Sequence, residues 1–132
     1  MPKIRHMAIK TKDPAKLAKF YHDVFGMEII LTEQKSGAVY ISDGYLTLAL
    51  LKNRGDTAPN GFNHFGFHVE DLGDIEQKLQ TFNEPMTSRP STRPFAEYRA
   101  MDPDGNLFDI SVHGYDEAEY ADREKPREKT SV

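Results

Sequence analysis

The chain has 132 residues and a net charge of −4, with 38% hydrophobic residues, 29% charged residues and no cysteine. That length suits one domain with a real core, and the balance excludes a disordered chain. The absence of cysteine excludes disulfides, thiolate metal sites and cysteine nucleophiles, so any metal must be held by His, Asp, Glu or other oxygen ligands.

No Lys/Arg cluster of the kind that tracks a phosphate backbone is present, and no apolar run approaches membrane-spanning length. The expectation is a cytoplasmic chain with no nucleic-acid or membrane partner. In chain order, residues 3–10 alternate as a strand and end at Asp13-Pro14, an N-cap followed by proline at the first helical position. Leu17, Phe20, Tyr21 and Val24 then recur at helical spacing up to Gly26. Strands are expected at 27–33, 38–42 and 45–52, separated by Lys35-Ser36-Gly37 and Ser42-Asp43-Gly44.

The stretch 53–61, "KNRGDTAPNG" with its neighbour Lys52, is a linker by its turn residues. The order then repeats: a strand at 62–70, the N-cap Asp71, a helical stripe of Leu72, Ile75, Leu79 and Phe82, and strands at 85–89, 96–101 and 106–113. "HMAIKTKD" (6–13) matches "HFGFHVED" (64–71), and "SDGYLTLAL" (42–50) matches "PDGNLFDIS" (103–111). The expected fold is α+β: two βαβββ modules, 3–52 and 62–113, forming a curled mixed sheet within one domain, 1–113. The tail 114–132 mixes charges of both signs, and is either a short helix against a partner subunit or a disordered segment.

Successive strand side chains alternate faces. His6 therefore opposes Met7 and Ile9, and His64 opposes Phe65 and Phe67. Asp109 opposes Phe108 and Ile110. With the apolar faces under the helices, two imidazoles and a carboxylate share the other side of the sheet. Such a 2-His-1-carboxylate set suits Fe(II) and leaves positions open for substrate and oxygen. Each member has a purely structural alternative: a strand His can be a hydrogen-bonded filler, and Asp109 can pair with Arg5, Arg93 or Arg99.

His68 and His113 fall on the same faces as His64 and Asp109, and either is a candidate acid or base. Tyr98 is a candidate hydrogen-bond donor to a bound oxygen, or else a packed aromatic. Leu46, Leu48, Leu50 and Leu107 are expected to form the apolar wall of a pocket for a flat ligand.

The segments "IRHMAIKTKDPAKLAKFYHDVFGMEII", "NHFGFHVED" and "DPDGNLFDIS" resemble the vicinal oxygen chelate superfamily, which includes glyoxalases, extradiol dioxygenases and drug-resistance proteins. The resemblance covers residues 3 to about 113. It implies that His6, His64 and Asp109 hold a metal, with Asp109 standing where the family usually has Glu. Fe(II) is favoured, with Mn(II), Zn(II) or Ni(II) as alternatives.

It also implies a small-molecule substrate that presents vicinal oxygens, and a homodimer in which the site lies within one chain or is shared. The 61-residue offset between the two turn motifs aligns Asp109 with Leu48, which can neither ligate nor take a proton. On that ground the expectation is an extradiol-type dioxygenase. The alternatives are a glyoxalase-like isomerase or lyase with a non-redox metal, and a non-catalytic small-molecule-binding protein.

Overall fold

The structure, a computed structural model, describes residues 1–55, 58–89 and 96–112. His113, Arg93 and the 114–132 tail lie outside the described residues. Strand β1 (Lys3–Thr11) leads into helix α1 (Pro14–Phe25), followed by β2 (Glu28–Thr32), β3 (Val39–Ser42) and β4 (Thr47–Lys52). The second copy is β5 (Gly61–His68), α2 (Leu72–Thr81), β6 (Thr87–Ser88), β7 (Tyr98–Met101) and β8 (Leu107–Ser111).

The helix starts form for the same reason in both halves. The carboxylate of Asp13 accepts from the Lys16 amide and that of Asp71 from the Asp74 amide, satisfying donors that the first turn leaves free. Gly26 ends α1 at φ 74°, and its amide donates to the His22 carbonyl.

The eight strands form one open mixed sheet in the order β2-β3-β4-β1-β5-β8-β7-β6. Within each half the first and last strands run parallel, β1 beside β4 and β5 beside β8. The halves meet along an antiparallel β1–β5 seam, so the order on one side mirrors that on the other. This is the α+β fold expected from the repeat.

Two apolar clusters lie on the helix side. Ala18, Val39, Ile41, Leu48 and Leu50 form the first, with Leu17 and Tyr21 of α1 packed on it. Val69, Ala100, Phe108 and Ile110 form the second, with Leu72, Ile75 and Leu79 of α2 against it. The stripe on α1 is rotated from the expected one. Leu17, Ala18 and Tyr21 meet the sheet, while Phe20 and Val24 are more than half exposed. Ala18, without a bulky side chain, lets the helix settle closely on the strands, which turns its larger neighbours outward. Phe82, expected at the end of the second stripe, caps α2 and is also exposed.

One expectation is corrected here. Leu48 and Leu50 belong to the core under α1, not to a pocket wall, and neither Leu46 nor Leu107 lines the cavity on the other side. The cause is the offset. Met7 pairs with Leu48 and Ala8 with Ala49 in the first half; Phe65 pairs with Phe108 and Gly66 with Asp109 in the second. Asp109 thus corresponds to Ala49, 60 residues earlier, rather than to Leu48.

The turns before these strands differ by one residue. The Asp43 amide donates to the Leu46 carbonyl, three positions on, whereas the Asp102 amide donates to Asn106, four positions on. The equivalent of Asp43 is Asp102, and aligning the Asp-Gly pairs shifts the strands out of phase. One residue flips every side chain to the other face.

The assignment of faces has a direct test. Leu50→Ala, at a fully buried core position, is expected to cost about 2–5 kcal/mol by urea denaturation. Leu51→Ala, on the cavity side, should cost well under half as much. Equal losses, or the reverse ranking, would contradict the assignment.

Candidate metal centre

His6 and His64 sit on neighbouring strands, one on each side of the central seam. Their placement follows from two matched irregularities. Between Ile4 and His6 the seam gains an extra residue, Arg5, and between His64 and Phe62 it gains Asn63. Each histidine is thus preceded by a bulge, which bends the strand and re-aims the side chain that follows. Asp109 reaches the same point from β8, which lies parallel to β5.

All three side chains are buried: His6 is 5% exposed, His64 7% and Asp109 1%. His6 Nε2 lies 3.3 Å from Asp109 Oδ2, and His64 Nε2 lies 3.0 Å from the same oxygen. The imidazole planes stand nearly perpendicular, at 89°.

Close packing against a glycine holds the first imidazole. His6 pairs with Gly66 across the seam, and a Cβ on Gly66 would stand 2.1 Å from His6 Cε1. Only a residue without a side chain leaves room for that ring. The corresponding position in the first half is Ala8, which pairs with His64.

The other carboxylate oxygen faces a different set. Arg99, directly opposite Asp109 on β7, donates from Nε to Asp109 Oδ1 at 2.8 Å, and Arg89 Nη1 stands 3.5 Å from that oxygen. Burial alone would raise the Asp109 pKa. Hydrogen bonds from His6, His64 and Arg99 overcome that and hold the carboxyl far below the ordinary range. Burial also lowers the pKa of His6, outweighing the contact with Asp109, and so favours the neutral ring that can ligate a cation.

The donor set fits a divalent metal. His64 Nδ1 donates to Asn63 Oδ1 at 2.8 Å, so in the neutral ring Nε2 presents a lone pair to Asp109 Oδ2. Two acceptors facing each other at 3.0 Å require a proton or a cation in common. Ligand atoms bound at ~2.1 Å and about 90–105° apart are themselves separated by ~3.0–3.3 Å, the separations seen at Asp109 Oδ2. The His6, His64 and Asp109 donor atoms all lie within 4.8 Å of one another. The hydrogen bond to Asn63 is the outer contact that fixes a ligand's tautomer.

An open cleft lies over these groups, with Tyr40, Ala49, Leu51 and Ala96 among its walls. Two of the other residues that the sequence points to, His68 and Tyr98, lie elsewhere. His68 Nε2 is bonded to the Val112 carbonyl at 3.1 Å, and Tyr98 packs into the core cluster under α2; neither lines the cleft. His113 is outside the described residues. Of the three arginines available to Asp109 by sequence, Arg99 pairs with it, whereas Arg5 donates to the Tyr45 carbonyl and lies over its ring. Arg89, Tyr40 and Gly66 are site residues that sequence reasoning misses. Tyr40 and Gly66 carry a usable signal in strand parity, since Gly66 shares a face with His64.

The sequence model of the Glyoxalase/Bleomycin resistance protein/Dioxygenase superfamily matches residues 3–110. No curated protein matches the chain significantly. Among solved structures, methylmalonyl-CoA epimerase from Streptomyces coelicolor, in complex with 2-nitronate-propionyl-CoA, is similar at 21% identity and TM-score 0.58, covering 82% of this chain and 94% of that one. A hypothetical protein from Bacillus halodurans C-125 gives 17% identity and TM-score 0.60, with coverages of 83% and 92%. The 2,3-dioxygenase LapB from Pseudomonas sp. KL28 gives 18% identity and TM-score 0.68, covering 84% of this chain and 40% of that one.

The glycine contact yields a sharp expectation. Gly66→Ala must displace the His6 ring, at a cost of about 1–3 kcal/mol in stability from overpacking. The imidazole resonances of His6 should shift in a heteronuclear NMR spectrum while those of His22 stay in place. An unperturbed His6 would show that its ring does not rest on Gly66.

Proposed function

The chain belongs to the Glyoxalase/Bleomycin resistance protein/Dioxygenase superfamily, and from that premise we propose that it is a divalent-metal-dependent enzyme of the extradiol dioxygenase type. His6, His64 and Asp109 are the ligands in this reading, and Fe(II) is the favoured metal. A divalent metal held there supplies Lewis acidity and, as Fe(II), the redox couple that reaction with O₂ requires. The substrate is a small molecule with two adjacent oxygen functions.

One observation carries the reading: three donors converge, and no fourth His, Asp or Glu is among the described residues that line the cleft. The corrected offset strengthens the point. The position equivalent to Asp109 is Ala49, which can neither ligate nor accept a proton. A set of three ligands on one side leaves the other side open to substrate and co-substrate.

The protein's own part is to bind and orient. Gly66 and Asn63 fix the two rings, Arg99 holds Asp109 so that one oxygen faces both imidazoles, and Ala49, Leu51 and Ala96 keep the wall apolar. An apolar wall restricts competing water near the reacting groups.

An isomerase or epimerase is the second reading. It is favoured by the near-equal length of the epimerase chains, which match over 94% of their own extent in the Streptomyces case. That chemistry needs a base beside the reacting carbon. Outside the three proposed ligands, the described lining residues supply no carboxylate or imidazole for it. The homodimer expected from the resemblance remains part of the proposal, but the three donors come together within a single chain, so no exchange of halves is needed to assemble them.

Protein purified anaerobically without a His tag should carry about one equivalent of metal by elemental analysis, and Asp109→Ala should lose it while keeping a cooperative unfolding transition. The Fe(II) form should consume O₂ with a catechol and leave a glutathione hemithioacetal unchanged. Isomerisation of the hemithioacetal by the Ni(II) or Zn(II) form, without O₂ uptake by the Fe(II) form, would falsify the dioxygenase reading.

A further inference from the structure

The charge of the cleft is unbalanced. Among the described residues that line it, Asp109 is the only acid, against two guanidinium groups, Arg89 and Arg99. A divalent cation at the His6–His64–Asp109 cluster would raise the local excess from one positive charge to three. A doubly ionised vicinal-oxygen ligand would offset only the metal's two charges, so a further anionic group on the ligand would still meet a net cationic lining.

Arg99 is oriented to receive such a group. Its Nε is engaged by Asp109 Oδ1, and its side chain is 28% exposed. Among the described residues, its two terminal amino groups have no hydrogen-bond or ion-pair partner. The inner edge of the guanidinium thus holds a proposed metal ligand while the outer donors remain for something that enters the cleft. A planar fork of N–H groups is the natural partner of a carboxylate, which it grips through two parallel bonds. The cross-strand pairing of Arg99 with Asp109 places that fork one strand beyond the metal ligand, on the second-half side of the site.

We propose that Arg99 is a specificity-determining residue that selects substrates carrying a carboxylate in addition to their vicinal oxygens. This rests on the function proposed above for the metal, but the recognition itself is a property of the protein alone. The substrate class is therefore a small carboxylic acid, such as a hydroxylated aromatic acid, rather than a neutral diol. Arg89, near the same oxygen of Asp109, adds to the field that attracts the anion.

The test compares ligands that differ only in the charged group. With Zn(II)-loaded protein, which cannot turn over with O₂, calorimetry should show 3,4-dihydroxybenzoate binding about tenfold to a hundredfold more tightly than catechol, the range expected for a charge-assisted pair. Arg99→Gln, compared with wild type at matched zinc occupancy because Arg99 also holds Asp109, should erase that preference. Arg99→Lys, which keeps the charge without the fork, should restore part of it.

Metal-free protein is titrated in parallel with benzoate and benzyl alcohol, so the result survives a failure of the metal reading. Wild type should prefer benzoate, and Arg99→Gln should not. Absence of zinc binding overturns the proposed function and leaves this second comparison to decide the inference. A preference that persists in Arg99→Gln, equal binding of acid and neutral ligand by wild type, or no binding of either acid at millimolar concentration overturns the role of Arg99. Should Arg99→Gln fail to fold, the Arg99→Lys comparison decides it: an undiminished preference contradicts recognition by the fork.

Discussion

The carboxylate of Asp109 is the group on which the rest of the site depends. It is almost completely buried, and its two oxygens serve different partners. Oδ2 meets both imidazoles, while Oδ1 meets the two guanidinium groups. A lone carboxylate at that depth would be strongly destabilising. Here burial is more than offset, and the group stays ionised because of its partners. The division also has a geometric effect. With Arg99 holding one oxygen, only the other is free to face His6 and His64, so the shorter Asp side chain presents a single well-directed donor.

The sheet brings those partners together by near-symmetry. Reversing direction at the β1–β5 seam makes each half see the other in the same relation, and the two bulges place an imidazole on each side. The symmetry is broken where function differs. Gly66 yields space to the His6 ring, whereas its counterpart Ala8 carries a methyl group opposite His64. Asp109 supplies a carboxylate, whereas its counterpart Ala49 supplies only a wall. In this chain both halves supply an imidazole and only the second supplies a carboxylate.

Much of this is legible in the amino-acid sequence. Alternation in 3–10, 62–70 and 106–113 assigns His6, His64 and Asp109 to one side of the sheet, and the N-cap residues Asp13 and Asp71 mark both helices. What fails is the phase between repeats. The Asp-Gly pairs at 43–44 and 104–105 look equivalent, but the second turn closes one residue later, so a turn-based alignment puts Leu48 on the wrong face. Turn chemistry is local and easily recognised, whereas the length of a turn is decided by which amide closes on which carbonyl. The rotation of α1 is illegible for a related reason. Phe20 and Val24 continue the helical stripe as well as Leu17 and Tyr21 do, and only contact with the sheet selects Ala18 as the centre of the buried face. Gly66 is a third case. Strand parity places it beside His64, but the need for a missing side chain appears only when the His6 ring is seen lying across it.

Across the sheet, the lining changes character in one direction. Tyr40 and Ala49 lie on β3 and β4, His6 and His64 on the two central strands, Asp109 on β8 and Arg99 on β7. The first-half side is apolar apart from hydroxyl groups, the middle is the donor cluster, and the far side is cationic. A ligand spanning such a gradient is held in one orientation, because turning it end for end would set its apolar body against guanidinium and its charge against alanine and leucine. Unpaired polar groups penalise the wrong pose more than apolar contact rewards the right one. For a ligand bound as proposed, the charged end would set the orientation and the central donors the depth at which its oxygens lie.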